Sequence, residues 1–178
     1  MDGSWAAGTG HPGVFSTYDP SLAIEEIKKA REQCDYLVIY VHWGIERNTE
    51  PESYQRSMGQ AYIDAGADLV VGSHPHVLQP VEAYKDKTIA YSLGNFVFGS
   101  SIPSTELLKV ELDGEEAEPD QVTVTGIPCT SSDGYMPYMV MPARTQFKFA
   151  CGRSMMPALL EQCLIGISIP RAFSSSVK

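Results

Sequence analysis

Three imidazoles are the side chains best suited to chemistry in this sequence. His74 and His76 stand one residue apart in Gly72-Ser73-His74-Pro75-His76, and His42 closes an earlier apolar run. In extended backbone alternate side chains point the same way, so His74 and His76 are expected to fan towards one spot. Pro75 favours this, because its ring fixes its own φ and pushes the residue before it out of the α region. Three neutral imidazoles are a recurrent ligand set for zinc, manganese or iron, each held through its second nitrogen by a carbonyl or carboxylate. The His-x-His pair alone equally fits two surface or core histidines. His42, at the end of a neighbouring strand, turns the reading towards a metal site. Glu46 and Asp68 are the sequence-near carboxylates for the outer shell, each being otherwise a solvated acid. His11, in Gly8-Thr9-Gly10-His11-Pro12-Gly13, reads as a solvated loop histidine.

The elements that position these residues follow from periodicity. Residues 1–18 are rich in Gly, Ser and Pro and read as a loop or loose arm. Asp19-Pro20 starts a helix, with Asp19 as its N-cap. Its apolar face is expected to hold Leu22, Ile24, Ile27 and Ala30, with Glu25 and Lys29 paired across one turn. Cys34 falls on that predicted helix as a small buried apolar residue, and Tyr36 to Val41 then form a continuous β-branched and aromatic run typical of a central parallel strand. A second helix is expected from about Glu52 to Ala65, closed by Gly66, before the short strand Leu69 to Val71. This is a βαβ unit whose right-handed crossover makes the two strands neighbours, so His42 and His74, 74 − 42 = 32 positions apart, can converge. Sites in open α/β sheets form at such carboxyl ends.

Beyond Gln79 the pattern becomes antiparallel. Val81 to Tyr84 and Thr88 to Leu93 read as a hairpin, continued by Gly94 to Phe98. Leu107 to Leu112 and Val122 to Ile127 are further strands, joined by the acidic turn Asp113 to Asp120. Tyr138 to Phe149 holds one more strand, demoted to an edge by Pro142. Met155, Met156, Leu159, Leu160, Cys163 and Leu164 recur at helical spacing, which predicts a terminal amphipathic helix within 151–178 and then a frayed Ser174-Ser175-Ser176 tail.

Composition closes off several functions. The 178 residues suit one domain, and 43% hydrophobic against 20% charged residues suits a packed core. The 13 Lys and Arg against 22 Asp and Glu give a net charge of −9, with no basic stripe to meet phosphates, which argues against nucleic acid. No apolar run approaches the roughly 18 residues of a membrane-spanning helix, and Met1-Asp2-Gly3-Ser4 does not open a signal peptide. Cys34, Cys129, Cys151 and Cys163 show no C-x-x-C spacing, which disfavours a zinc–cysteine site.

Three segments in order carry a family resemblance: Val41-His42-Trp43-Gly44-Ile45-Glu46; the run from Asp64 through Gly72-Ser73-His74-Pro75-His76 to Pro80; and Tyr91-Ser92-Leu93-Gly94-Asn95-Phe96-Val97-Phe98. Together they resemble the bacterial capsule-synthesis CapA (PgsA) family of poly-γ-glutamate biosynthesis proteins, from about Gly3 to Pro137. The resemblance implies a layered α/β sandwich of the calcineurin-like metallophosphoesterase type, with a two-metal centre at the strand ends. His42 would be the single late histidine ligand, and His74 and His76 the terminal Gly-His-x-His ligands. The family implies attachment to the outer face of the cytoplasmic membrane through an upstream anchor, with poly-γ-glutamate synthase subunits and the anionic polymer as partners. The Gly-Asp, Asn-Leu-Glu and Asn-Asn-His motifs of the family's earlier half do not occur here. Residues 19–150 are therefore expected to be the carboxyl-terminal half of such a domain, holding half the metal shell. That half would bind the divalent metal (manganese, zinc or iron) weakly or not at all, be inactive, and self-associate through exposed strand edges.

Two functions remain open at this stage. One is a metal-dependent hydrolase, acting on a phosphoester or γ-glutamyl bond, in which Glu46 or Asn95 orients substrate or water. Asn95 equally fits a turn cap in Leu93-Gly94-Asn95-Phe96. The other is a non-catalytic component of polymer synthesis or export. An acidic domain repels polyglutamate unless cations bridge them, so a metal matters to both.

Overall fold

The computed structural model describes residues 5–17, 19–112, 122–140, 147–149, 156–159 and 165–170. Asp19 caps helix α1 (Pro20–Arg31), its carboxylate accepting from the Ser21 amide at 3.0 Å and the Ser21 hydroxyl at 2.6 Å. The buried face is set by Ala23 and Ile27, one turn apart, whereas Leu22 is 57% exposed, so the expected stripe lies one position further along. Lys29 pairs with Glu26 at 2.7 Å rather than with Glu25. Cys34 does not belong to this helix; it opens strand β1 (Cys34–His42), fully buried.

Helix α2 (Ser53–Asp64) starts with Glu52 and Gln55 capping each other's backbone, and the chain leaves it through Gly66 at φ +117°. Strand β2 (Leu69–Ser73) then lies parallel to β1, pairing Val41 with Gly72 and His42 with Ser73. Strands β3 (Gln79–Tyr84) and β4 (Lys87–Ala90) form a two-residue hairpin, with Lys85 and Asp86 both at positive φ as a turn matched to strand twist requires. Strand β4 lies parallel to β2. The expected βαβ unit and hairpin are both present.

The terminal helix expected within 151–178 is not what forms in its described parts, which are strands β9 (Met156–Leu159) and β10 (Ile165–Pro170). Ile165, Ile167 and Ile169 alternate, a β-branched pattern that favours strand over the helical spacing read from the Met and Leu residues. β10 pairs antiparallel with β1 and β9 with β3, giving the order β10-β1-β2-β4-β3-β9. One side of β1 is thus covered by β10 and the other by β2. Asp113 to Asp120, Pro142, Cys151, Cys163 and Ser174 to Ser176 lie outside the described residues.

A second, antiparallel sheet contains β5 (Ile102–Leu112), β6 (Val122–Ser131), β7 (Tyr138–Met139) and β8 (Phe147–Phe149). β5 and β6 are longer than the sequence suggested. Gly94 to Phe98 is a loop instead of a strand, with Phe96, Val97 and Phe98 exposed. The mixed sheet has two apolar faces. Leu37, Ile39, Val41, Val70 and Ile89 pack with Ala23, Ile27, Tyr62 and Ile63 of the helices, while Tyr36, Leu69 and Val71 pack against Leu108, Val110, Leu112 and Val122. The layers run helices, mixed sheet, antiparallel sheet.

At the amino end of β2 the buried Asp68 joins three of these elements. Its carboxylate accepts from the Arg31 guanidinium, from the Leu37 amide at 2.8 Å and from Lys87 Nζ at 2.7 Å. Arg31 also donates to the carbonyls of Cys34 and Asp35, closing the turn from α1 into β1. Asp68→Asn leaves two cations without their counter-charge. It is expected to destabilise by about 3 kcal/mol, the low end for a broken buried pair because both cations keep some access to water; a chemical denaturation midpoint unchanged from the parent would contradict this.

Glu106 is a half-buried acid of the second sheet. It shares the inward face of β5 with Leu108 and Val110, and its carboxylate lies over Gly126, where a Cβ would overlap Oε1. Burial pushes its carboxyl up from the usual range. A raised folded pKa makes the contribution to stability complete below the unfolded value, about 4.3, and lost as pH rises through the folded one. Glu106→Gln should therefore melt above the parent at pH 7, with the gap closing towards pH 4. Melting curves that differ equally at both pH values would refute this.

Candidate functional site

The three histidines sit where the parallel register sends them. His42 is the last residue of β1, and His74 follows directly on β2, whose Ser73 is the register partner of His42. The rings of His42 and His74 meet edge-on with centroids 4.7 Å apart, and those of His74 and His76 are 6.0 Å apart. All three stand at one end of the sheet.

The backbone that brings them there is not the extended one expected. His74 has φ 127° and His76 φ 63°, so the two side chains converge through a kinked loop rather than through strand alternation. Left-handed conformations are unfavourable for residues with a Cβ and persist where the surroundings impose them. Here the restraint comes from both sides. Arg47, itself at φ 60°, donates its amide to the Pro75 carbonyl at 2.9 Å, tying the loop after β1 to the peptide between the histidines. Beneath, Gly72 allows β2 to press on its neighbours: a Cβ there would overlap the Tyr91 carbonyl oxygen and lie 2.5 Å from Trp43 Nε1. Trp43 is buried between Tyr62 and Tyr91 and reaches the Tyr91 carbonyl at 3.4 Å.

The other predicted residues divide. Asn95 belongs to the site, its Oδ1 2.7 Å from His76 Nδ1. Glu46 is exposed at the rim and acts on His74 electrostatically. Asp68 does not: it precedes β2, whereas His74 follows it, so the five-residue strand separates them by about 16 Å. Its role as an outer-shell partner is thereby excluded, and its bonds to Arg31, Leu37 and Lys87 explain its burial instead. His11 stays in the exposed arm, with Nδ1 3.4 Å from the Pro12 carbonyl. Phe98, whose ring lies 4.6 Å from that of His76, was not foreseen, because it reads as one apolar residue in a run of three. Arg47 was not foreseen either, since nothing in its type announces a left-handed backbone.

Chemically this is a nitrogen-rich, carboxylate-poor cluster. Burial holds the His74 imidazole below its ordinary pKa, with Glu46 opposing and His76 adding to the effect. The neutral ring is the form that can donate a lone pair. Among the described residues no group of three or more His, Cys, Asp or Glu side chains is placed to hold a metal ion as it stands. The donor type thus suits a soft or borderline divalent cation, while the donor number does not suit two.

The strain can be measured at Arg47, whose backbone bond to Pro75 does not need its side chain. Arg47→Gly is expected to stabilise the chain by about 1 kcal/mol through relief of the left-handed conformation. Loss of stability in urea would show that the arginine side chain, and not its backbone, holds the loop.

Residues 2–100 match the family model for the bacterial capsule synthesis protein PGA_cap. The chain is similar to the "PGA biosynthesis protein CapA" of Bacillus subtilis (strain 168), at 47% identity over 94 residues, 53% of this chain and 24% of that protein. It is 44% identical over 91 residues to the "Capsule biosynthesis protein CapA" of Bacillus anthracis, covering 49% of this chain and 22% of the relative. A "Probable polyglutamine synthesis accessory protein" of Mycobacterium tuberculosis (strain ATCC 25618 / H37Rv) is 29% identical over 100 residues, 53% of this chain and 26% of its own length. The chain spans about a quarter of the length of these relatives. Every residue of the histidine cluster, with Asn95, falls inside the matched segment.

Proposed function

The chain belongs to the bacterial capsule synthesis family PGA_cap, and from that premise we propose that it serves poly-γ-glutamate capsule synthesis or export, with His42, His74 and His76 as part of a divalent-metal shell. The observation that supports this most directly is that His74 stands beside both His42 and His76, with ring centroids 4.7 and 6.0 Å apart, at the ends of adjacent parallel strands and inside the segment matched by the capsule-protein family. In this reading the helix, mixed-sheet and antiparallel-sheet layers are one part of a metallophosphatase-like sandwich. The protein works at the outer face of the cytoplasmic membrane beside polymer synthase subunits. Among the described residues no helix is long and apolar enough to cross a membrane.

The role of the chain's own groups follows from their chemistry. Burial lowers the pKa of His74 and so favours the neutral ring, the form with a lone pair to offer. His42 and His74 form the closest pair, and His76 completes the set through the loop. A bound divalent cation would supply charge, either to bridge the acidic polymer to a protein of net charge −9 or to polarise a scissile bond. The second possibility is the alternative reading, a metal-dependent phosphoesterase or γ-glutamyl hydrolase, and the imidazole cluster is what favours keeping it. Glu46 at the rim and Asn95 beside His76 are then the groups near the reacting bond. Three imidazoles alone cannot hold two ions and a bridging ligand, so no hydrolytic step is assigned to these residues by themselves.

Calorimetric titration with zinc or manganese tests the site. One weakly bound ion per chain, lost in His74→Ala, is the expected result. Unchanged binding in the variant, or two tightly bound ions in the parent, would place the metal elsewhere. Manganese-dependent turnover of a phosphoester or of γ-linked polyglutamate by the protein would decide for the hydrolase over the assembly role.

A further inference from the structure

We infer that Asn95 is a positioning residue for His76: its side-chain carbonyl sets the tautomer of the imidazole and thereby selects the nitrogen that faces the site. The bond is short, 2.7 Å between Asn95 Oδ1 and His76 Nδ1. An amide oxygen can only accept, so the proton of the neutral ring must lie on Nδ1, which leaves the lone pair on Nε2. Phe98 packs against the same ring, with centroids 4.6 Å apart, and restricts it from turning over. Hydrogen bond and aromatic wall both come from the loop after β4, three residues apart.

That loop is anchored well enough to act as a support. Gly94, at φ 74°, gives the turn that aims Asn95, and the residue before it is held by β5: the Thr105 hydroxyl and the Glu106 amide donate to the Leu93 carbonyl at 2.7 and 3.1 Å. Leu93 also bridges to Leu78, two residues beyond His76, so the two loops are joined on either side of the ring. Such restraint is what a histidine at φ 63° requires to keep one orientation. The sequence suggested that Asn95 orients substrate or water, or caps a turn; in the structure its carbonyl is engaged by the ring.

The value of this for ligand binding rests on the reading of His76 as a metal ligand, but the tautomer can be measured in the metal-free chain. Long-range proton–nitrogen correlation spectra of the labelled protein at pH 8, assigned with His76→Gln, should show His76 protonated on Nδ1. Asn95→Leu should move it towards the Nε2-protonated form, and Asn95→Asp, which keeps an acceptor, should not. In parallel, the zinc affinity of Asn95→Leu should fall by about 10–100-fold while that of Asn95→Asp is retained. An Nε2-protonated His76 in the parent, or the same tautomer in the parent and Asn95→Leu, would overturn the assignment. If the tautomer responds as expected while zinc binds equally to the parent, Asn95→Leu and His76→Ala, positioning by Asn95 stands and the ligand role of His76 falls.

Discussion

The carboxylate of Asp68 is the constraint on which the rest of the molecule depends. It is buried where β2 begins, and a buried charge is tolerable only when its oxygens are met by donors. Those donors come from the end of α1, from the backbone of β1 and from the start of β4. One side chain thus fixes the lateral order of three parallel strands and the angle at which the first helix enters. The carboxyl ends of those strands are placed by the same act, and they carry His42, the His74–His76 loop and the loop of Asn95.

The two ends of the sheet divide the labour. At the Asp68 end the charges are matched, and the positive φ angles of Gly66, Lys85 and Asp86 are those of a helix end and a hairpin turn. At the histidine end the backbone is irregular, with Gly44, Arg47, His74, His76 and Gly94 all at positive φ. Strain of this kind persists because the layers on both sides are well packed, Trp43, Tyr62 and Tyr91 on the helix face and Tyr36, Leu69 and Val71 on the other. The rigid half holds the strained half in place.

What could be read in the sequence was what local pattern determines. The cap at Asp19, the close of the second helix at Gly66, the parallel runs and the convergence of His42 with His74 all follow from cap and turn signals, periodicity and the handedness of the crossover. The kinked path of His74 and His76 could not be read, because it is imposed by Arg47 and by the close approach of Gly72 to Tyr91, contacts that join distant segments. Asp68 looked like a candidate for the site because it is near His74 in sequence, yet a strand places its two ends far apart. The strands at Met156–Leu159 and Ile165–Pro170 were hidden for a related reason: a short apolar segment takes the conformation that a waiting edge offers it.

The pairing of β1 with β10 also bears on synthesis. Its register joins Cys34 to Pro170, 170 − 34 = 136 positions along the chain. Chains are made and begin to fold from the amino end, so β1, α2, β2 and the hairpin can assemble on the ribosome long before residue 170 emerges. During that interval β1, the longest described strand of the sheet, has one side without a partner. Contacts of such long sequence separation form slowly. The nascent chain therefore passes through a stage in which this strand is open to any other extended segment, until residues 165–170 emerge and close it.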